Sequence, residues 1–292
     1  MRRFLSILVL VCAAASHART PQNAAPPASS EVTPQTSATP AAAQSAIPVD
    51  QENARKAKAL IDQAIQALGG EAYLTIRDRA LTGRTFGFHH GRSSGNGIEF
   101  WSFSEFPDKE RVELTKQRDI TELYVGAKAW EITYKGPKPI EPKDLDDYMR
   151  RRRFSLETIL RTWVTDPSVA MLYEGNVNAA QHPALQVTLI NAKNEAVTLD
   201  FDIDTHLPVR KSFEWRDPVD RQKNLEEEIY ENYRLVQGVM TPYNVTGYFN
   251  GDMSRERFIF SATYNTGLDQ AMFDPNSGYD PNKQAGKQSK KR

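Results

Sequence analysis

Cysteine is all but missing. The 292 residues hold one, Cys12, inside the first apolar stretch. A chain cut beyond it has no disulfide, no thiolate metal site and no cysteine nucleophile. Excess charge of either sign is missing too: 37 basic residues face 37 acidic ones, which leaves no electrostatic footprint for nucleic acid. Histidine is scarce, and His89, His90, His182 and His206 form neither a His-x-His nor a His-Glu-x-x-His spacing. The chain lacks a Gly-x-Ser-x-Gly elbow and a Gly-rich phosphate loop; Gly95-Asn96-Gly97 runs on into Ile98-Glu99-Phe100 and reads as a turn. No cofactor or metal is expected. No apolar run reaches the roughly 20 residues of a spanning helix, so no transmembrane segment is expected in the mature chain.

The first residues have a function of their own. Met1-Arg2-Arg3 is basic, Phe4 to Ala15 is apolar, and Ser16-His17-Ala18 is a small-x-small site. This order is that of a signal peptide over residues 1–18, cut after Ala18, which makes the protein exported and periplasmic. Lipid attachment at Cys12 would need a small residue before the cysteine, where Val11 stands. Residues 19–50 are rich in Ala, Pro, Ser, Thr and Gln and cannot bury enough surface to offset their ordering entropy, so a disordered tether is expected. Residues 277–292 are polar, end in Lys-Gln-Ser-Lys-Lys-Arg, and read as a disordered basic tail. The domain is left with residues 51–276.

That domain opens with a helix. Ala54, Ala57, Ile61, Ala64, Ile65 and Leu68 recur at helical spacing, and Gly69-Gly70 ends the series. An aromatic-dense strand follows (Ile98, Phe100, Trp101, Phe103, Phe106), then Val112 and Leu114 alternating with charges, then a hairpin turning near Gly126. Lys135 to Pro142 carries three prolines, which excludes a central strand. Asp144 to Val164 has a broad apolar face of Leu145, Tyr148, Met149, Leu156, Ile159, Leu160 and Trp163, with Asp144 as N-cap. Arg150 to Arg153 interrupts it and suggests two helices with a bend. The second half alternates: Val197, Leu199, Phe201, Ile203; Val209, Phe213, Trp215; Ile229, Tyr233, Leu235; Tyr243, Val245, Phe249; Phe258, Phe260, Ala262, Tyr264. Asn250-Gly251 marks a hairpin. Asp200, Asp202 and Asp204 read as acids on a wet strand face rather than as calcium ligands, and Glu226-Glu227-Glu228 as a solvated strand start. Arg150 to Arg153 is either a helix face in water or a grip for phosphate or lipid head groups.

Helix, strands, helical insertion and strands again make a mainly β fold with helices. A long antiparallel meander must curl to protect its edges and its apolar face. The expected form is an incomplete β-barrel with an N-terminal helix and a helical lid. Its interior is either filled by side chains or hollow.

Several local patterns together resemble the outer-membrane lipoprotein carriers, the LolA/LolB-like group. They are Ala67-Leu68-Gly69-Gly70 with Leu74 and Ile76; Asp204 to Arg210; Tyr233 to Gly238 leading to Pro242; and Asn265-Thr266-Gly267-Leu268-Asp269 with Phe273 and Pro275. The resemblance spans roughly residues 54 to 275. It implies an incomplete barrel with a helical lid over an apolar cavity that receives acyl chains, and so favours the hollow form.

Three functions follow. The first is non-catalytic binding or carriage of a lipid, a lipoprotein acyl chain or another apolar ligand, with Trp101, Phe103, Trp130, Ile132, Leu156, Leu160 and Trp163 as candidate lining. The second is an envelope-stress or partner-binding module whose groove reads a peptide or sensor from an envelope protein. The third, a secreted hydrolase, is opposed by the missing nucleophile and metal spacings, although catalytic residues far apart in sequence leave no motif.

Overall fold

A computed structural model describes residues 49–281. The expected signal peptide, nearly all of the expected tether, and the expected tail beyond residue 281 lie outside the described residues. Within them the chain runs α1 (Val49–Leu68), α2 (Glu71–Leu74), β1 (Asp78–His89), β2 (Arg92–Ser93), β3 (Ile98–Glu105), β4 (Lys109–Leu114), β5 (Ile120–Val125), β6 (Lys128–Thr133) and β7 (Gly136–Pro139). The helical insertion follows as α3 (Pro142–Arg153), α4 (Leu156–Arg161) and a 3-10 turn (Trp163–Thr165). Then come β8 (Ala170–Ala179), β9 (His182–Ile190), β10 (Ala196–Asp202), β11 (Pro208–Arg216), β12 (Lys223–Val236), β13 (Val239–Phe249), β14 (Asp252–Tyr264) and a last 3-10 turn (Gln270–Phe273).

All pairings are antiparallel, in one sheet ordered β7-β6-β5-β4-β3-β1-β14-β13-β12-β11-β10-β9-β8, with β2 paired to β1 off this path. The sheet does not close, because β7 and β8 are its two ends. β7 is Gly-Pro-Lys-Pro, and its prolines fit an edge, where a missing N–H costs no ladder bond. At the other edge Asn53 of α1 clasps the Tyr173 backbone, donating to its carbonyl at 2.8 Å and accepting from its N–H at 2.8 Å. The helix thereby guards the second edge.

The expected fold class is therefore present: a curled, incomplete antiparallel barrel with an N-terminal helix and a helical insertion. α1 buries Ala57, Leu60, Ile61, Ala64, Ile65 and Leu68. It ends at Gly69, whose φ of +126° places a would-be Cβ 2.2 Å from the Gly238 carbonyl oxygen. Only glycine fits there. The insertion is two helices, as the arginine run suggested, but Glu141 rather than Asp144 stands at the first N-cap, and Ser155 caps α4 by accepting from the Thr158 N–H at 3.2 Å. The packed region also extends past residue 276, since Tyr279 lies against the arginine ring-stacking partner Arg111 at 4.8 Å.

Filling of the concave face is uneven. Val187, Leu189, Val197, Leu199 and Phe201, on β9 and β10, are fully buried in the main core with α1 and α4. Toward β3, β1 and β14 the sheet and the helices separate.

Candidate functional site

Between them lies a cavity of about 600 Å³, within the range of roughly 300–1,000 Å³ usual for small-molecule sites. Its apolar wall includes Leu81, Phe100, Val112, Leu114, Leu156 and Ile259. Strands β1, β3, β4, β5, β12, β13 and β14 form one side, and α3, α4 and the α1–α2 corner the other.

The insertion is clamped over this space by charge. Arg150 and Arg151 both reach Glu226 on β12, at 3.0 Å and 2.8 Å. Tyr148 donates to Glu110 on β4 at 2.9 Å and stacks on Tyr124 of β5 at 3.5 Å. Arg152 donates to the Gly126 carbonyl at 3.2 Å, Arg153 pairs with Glu195, and Glu157 pairs with Arg79 on β1. α3 thus touches β5 and β12, six places apart in the sheet, which only a curled sheet allows. The arginine run is not a free anion grip: Arg151 and Arg153 are exposed to water, yet each of the four members is bonded to the sheet or the β9–β10 hairpin. Glu226, Glu227 and Glu228 are likewise not a solvated strand start, since each pairs with a cation. Asp200 does lie on the outer face, opposite Leu199 and Phe201, yet it is fully buried beneath Arg210 at 2.6 Å and Gln186 at 2.8 Å. Among the described residues no cluster of three or more His, Cys, Asp or Glu is placed to hold a metal ion.

A second set of charges belongs to the wall itself. Lys211 lies 2.6 Å from Glu228, Tyr230 donates to Glu228 at 2.7 Å, and Arg255 also pairs with it. Residue 247, directly between Glu228 and Arg255 in the sheet, is glycine, and a Cβ there would stand 2.9 Å from Arg255 Cγ. Burial pushes the Glu228 carboxyl up, but Lys211 and Arg255 outweigh it and hold the group far below the usual carboxylate range. Among the described residues Glu122 accepts only from the Tyr124 hydroxyl, at 3.1 Å, and burial raises its pKa.

The direction of β14 decides what the wall is made of. Its apolar series was expected to point Phe258, Phe260, Ala262 and Tyr264 inward together. Instead Phe258 and Phe260 are exposed, at 36% and 60%, while Ala262 and Tyr264 are buried. The cause is a β-bulge: Thr82 pairs with Ser261 and Gly83 with Ile259, so Phe260 has no partner. One extra residue shifts the two-residue period by one and turns the strand's first half over. Gly83 permits it, because a Cβ there would meet the Phe258 carbonyl oxygen at 2.1 Å. Arg255, Arg257 and Ile259 consequently face the cavity.

Of the seven residues singled out from sequence, Leu156 lines the cavity. Leu160 and Trp163 are buried in the main core beside Phe154 and Ile159. Phe103, Trp130 and Ile132 gather elsewhere, around Leu123, Met272 and Phe273, where the C-terminal segment covers the outer face of the sheet. Trp101 is half-buried beneath the Arg118 guanidinium, 5.0 Å away. The reason is again alternation: on β3, Phe100 and Ser104 look into the cavity, so Trp101 and Phe103 look out. Sequence reasoning missed Phe100 and the ionic wall. A pairing of β3 with β1 would have revealed the first; the second was hidden because inward charges look like a wet face.

No protein-family model matches the chain, and no curated protein does. Solved structures do. A DUF1329 family protein from Desulfovibrio piger superposes with a TM-score of 0.52 at 15% identity, covering 75% of this chain and 97% of that one. A candidate outer membrane lipoprotein-sorting protein domain from Vibrio parahaemolyticus gives 0.50 at 14%, covering 77% and 98%. A LolA superfamily protein, NE2245 from Nitrosomonas europaea, gives 0.47 at 12%, covering 75% and 97%. At these identities the likeness is one of fold: a large antiparallel sheet with helices, shared with the first two of these proteins.

Proposed function

We propose that the protein binds and carries an apolar ligand, a lipid or an acyl chain, in the cavity under its helical insertion, and that it does so without catalysis. The observation that supports this most is the uneven filling of the concave face: one end is close-packed, while the other keeps about 600 Å³ between sheet and helices. A protein interior is normally packed to crystal-like density, so a space of this size ringed by Leu81, Phe100, Val112 and Leu114 calls for an occupant. The fold it shares with a lipoprotein-sorting domain is consistent with that role.

Carriage between membranes fits an exported protein. Residues 1–18 are proposed to be removed as a signal peptide and residues 19–50 to tether the domain. Intact mass of the protein from a periplasmic fraction tests this: a chain beginning at Arg19 supports it, whereas retained residues 1–18 or acyl chains on Cys12 refute it. Ligand binding is tested by organic extraction of protein purified without detergent, followed by mass spectrometry, and by titration with the neutral fluorophore N-phenylnaphthylamine. A co-purifying lipid and saturable fluorescence are expected. A protein with neither, but with a polypeptide bound from envelope extracts, would put the partner-binding reading in first place.

A further inference from the structure

Arg257 stands out on the cavity wall. Its side chain has no ion pair and no hydrogen bond among the described residues, and its guanidinium lies 4.4 Å from the centroid of the Phe100 ring. Its partners across the sheet are Val245 on β13 and Thr85 on β1, and Tyr230 follows beyond Val245, so its row offers no carboxylate. The nearby acids are engaged. Glu228 already answers to Lys211 and Arg255. Glu157 is paired with Arg79, and Glu110 accepts from Ser102 at 3.0 Å and from Tyr148 at 2.9 Å. Burial, with the repulsion of Arg255, pushes the Arg257 pKa down to about 10, which leaves it cationic at neutral pH. Other residues of the same wall add unmet donors: Tyr73 Oη, Arg79 Nε and Arg255 Nε are buried without a hydrogen-bond partner. Buried unsatisfied groups are rare in native proteins and ask for an explanation. Here each such atom on the wall can donate, and Arg257 is a cation with neither an ion pair nor a side-chain hydrogen bond among the described residues; of the other half-buried wall charges without an ion pair, Arg152 donates to a backbone carbonyl and Glu110 and Glu122 accept from hydroxyls.

Resting on the reading of the cavity as a lipid site, we infer that its ligand is a single-chain anionic amphiphile, with its carboxylate or phosphate head group inside the cavity against Arg257 and its alkyl chain along Phe100, Leu81, Val112 and Leu114. Size agrees. A cavity of about 600 Å³ is within the range of small-molecule sites and accommodates a long chain with its head. Chemistry agrees as well. A guanidinium offers a planar fork of donors suited to a carboxylate or phosphate, and a charge-assisted bond formed away from water is stronger than a neutral one.

The test uses the full chain, stripped of lipid, with N-phenylnaphthylamine bound and displaced in turn by palmitate, methyl palmitate, hexadecyltrimethylammonium below its micelle concentration, and 1-palmitoyl lysophosphatidate. Palmitate is expected to displace the probe at about tenfold lower concentration than its methyl ester, since a hydrogen bond to a charged group is worth that much or more; the cation should be weakest. Whichever of palmitate and lysophosphatidate is stronger identifies the head group as carboxylate or phosphate. Arg257→Gln should erase the preference for anions, so that palmitate and methyl palmitate displace the probe at equal concentration, whereas Arg257→Lys should keep part of it. Arg257→Gln should also unfold at the same temperature as the parent or higher, because it removes an uncompensated charge. Should that variant fail to fold, the parent's ranking of palmitate against its ester, with Arg257→Lys, decides alone. Equal displacement by acid and ester in the parent, or a preference that survives Arg257→Gln, overturns the anionic ligand while the apolar site stands. A parent that binds no probe and no amphiphile overturns both.

Discussion

Leu156 and Leu160 sit one turn apart on α4 but in different surroundings, and the difference can be measured. Leu160 is fully buried, packed with Ile159, Phe154 and Trp163 in the main core. Truncating such a leucine loses its transfer free energy and leaves a void, at a cost of about 2–5 kcal/mol. Leu156 is half-buried and borders space that is empty of protein atoms. It has fewer packing partners to lose, so Leu156→Ala should cost about 1 kcal/mol. Urea unfolding followed by tryptophan fluorescence separates the two. With a slope of about 3 kcal/mol/M, Leu160→Ala should lower the midpoint by about 1 M and Leu156→Ala by about a third of that. Titration with N-phenylnaphthylamine should show the reverse order, Leu156→Ala weakening the probe and Leu160→Ala leaving its affinity nearly intact in the folded protein. Equal midpoints for the two variants would mean that the wall of the cavity is close-packed, and the argument from uneven filling would fail.

Glu228→Gln removes the carboxylate that Lys211 and Arg255 share, leaving Lys211 buried without a counter-ion, and should cost about 3 kcal/mol at neutral pH. Because the folded carboxyl titrates below its ordinary 4.5, its stabilisation is complete above that pH and is lost as pH falls, so parent and variant should converge in acid denaturation profiles. Glu122 behaves in the opposite sense: burial raises it, so its contribution is present below 4.5 and lost as pH rises through the folded value. Glu122→Gln should therefore be more stable than the parent at pH 8 and equal to it in acid, as read by thermal unfolding; a variant less stable at pH 8 would contradict this. Gly69→Ala should cost about 1–3 kcal/mol, from a strained backbone angle and from the Gly238 carbonyl in the way of its methyl group; an unchanged midpoint would show that the α1 terminus can move.

How much of this could be read beforehand depended on whether a signal was local. α1 was legible because its spacing and its glycine stop lie within twenty residues, and the Asn250-Gly251 hairpin because its turn chemistry is two residues long. β1, with Thr82, Gly83 and Thr85 in it, carries little apolar alternation, and β8 is an edge strand with half of its residues exposed, so neither announced itself. Site residues were harder. Alternation says which residues share a face, not which face is inside, and on β3 the richer aromatic set, Trp101 and Phe103, belonged to the outside. The outer face is apolar there because Met272 and Phe273 return from the far end of the chain to cover it, a contact no window of neighbouring residues contains.

The bulge at Phe260 has a meaning beyond geometry. Read as a regular strand, β14 has a complete apolar frame in Phe258, Phe260, Ala262 and Tyr264, and an unbroken ladder would bury all four. The native register declines that offer: it leaves Phe260 60% exposed and turns Arg257 inward. Sequences selected for stability alone tend to make local and global preferences agree. This strand keeps them in conflict, so it is a locally frustrated element, with a competing register one residue away. Such conflict marks positions held for what they do rather than for how firmly they hold the fold. It also makes this ladder the place where a slipped pairing can trap the folding chain, with the cavity's charge as the feature that tells the native register from its rival.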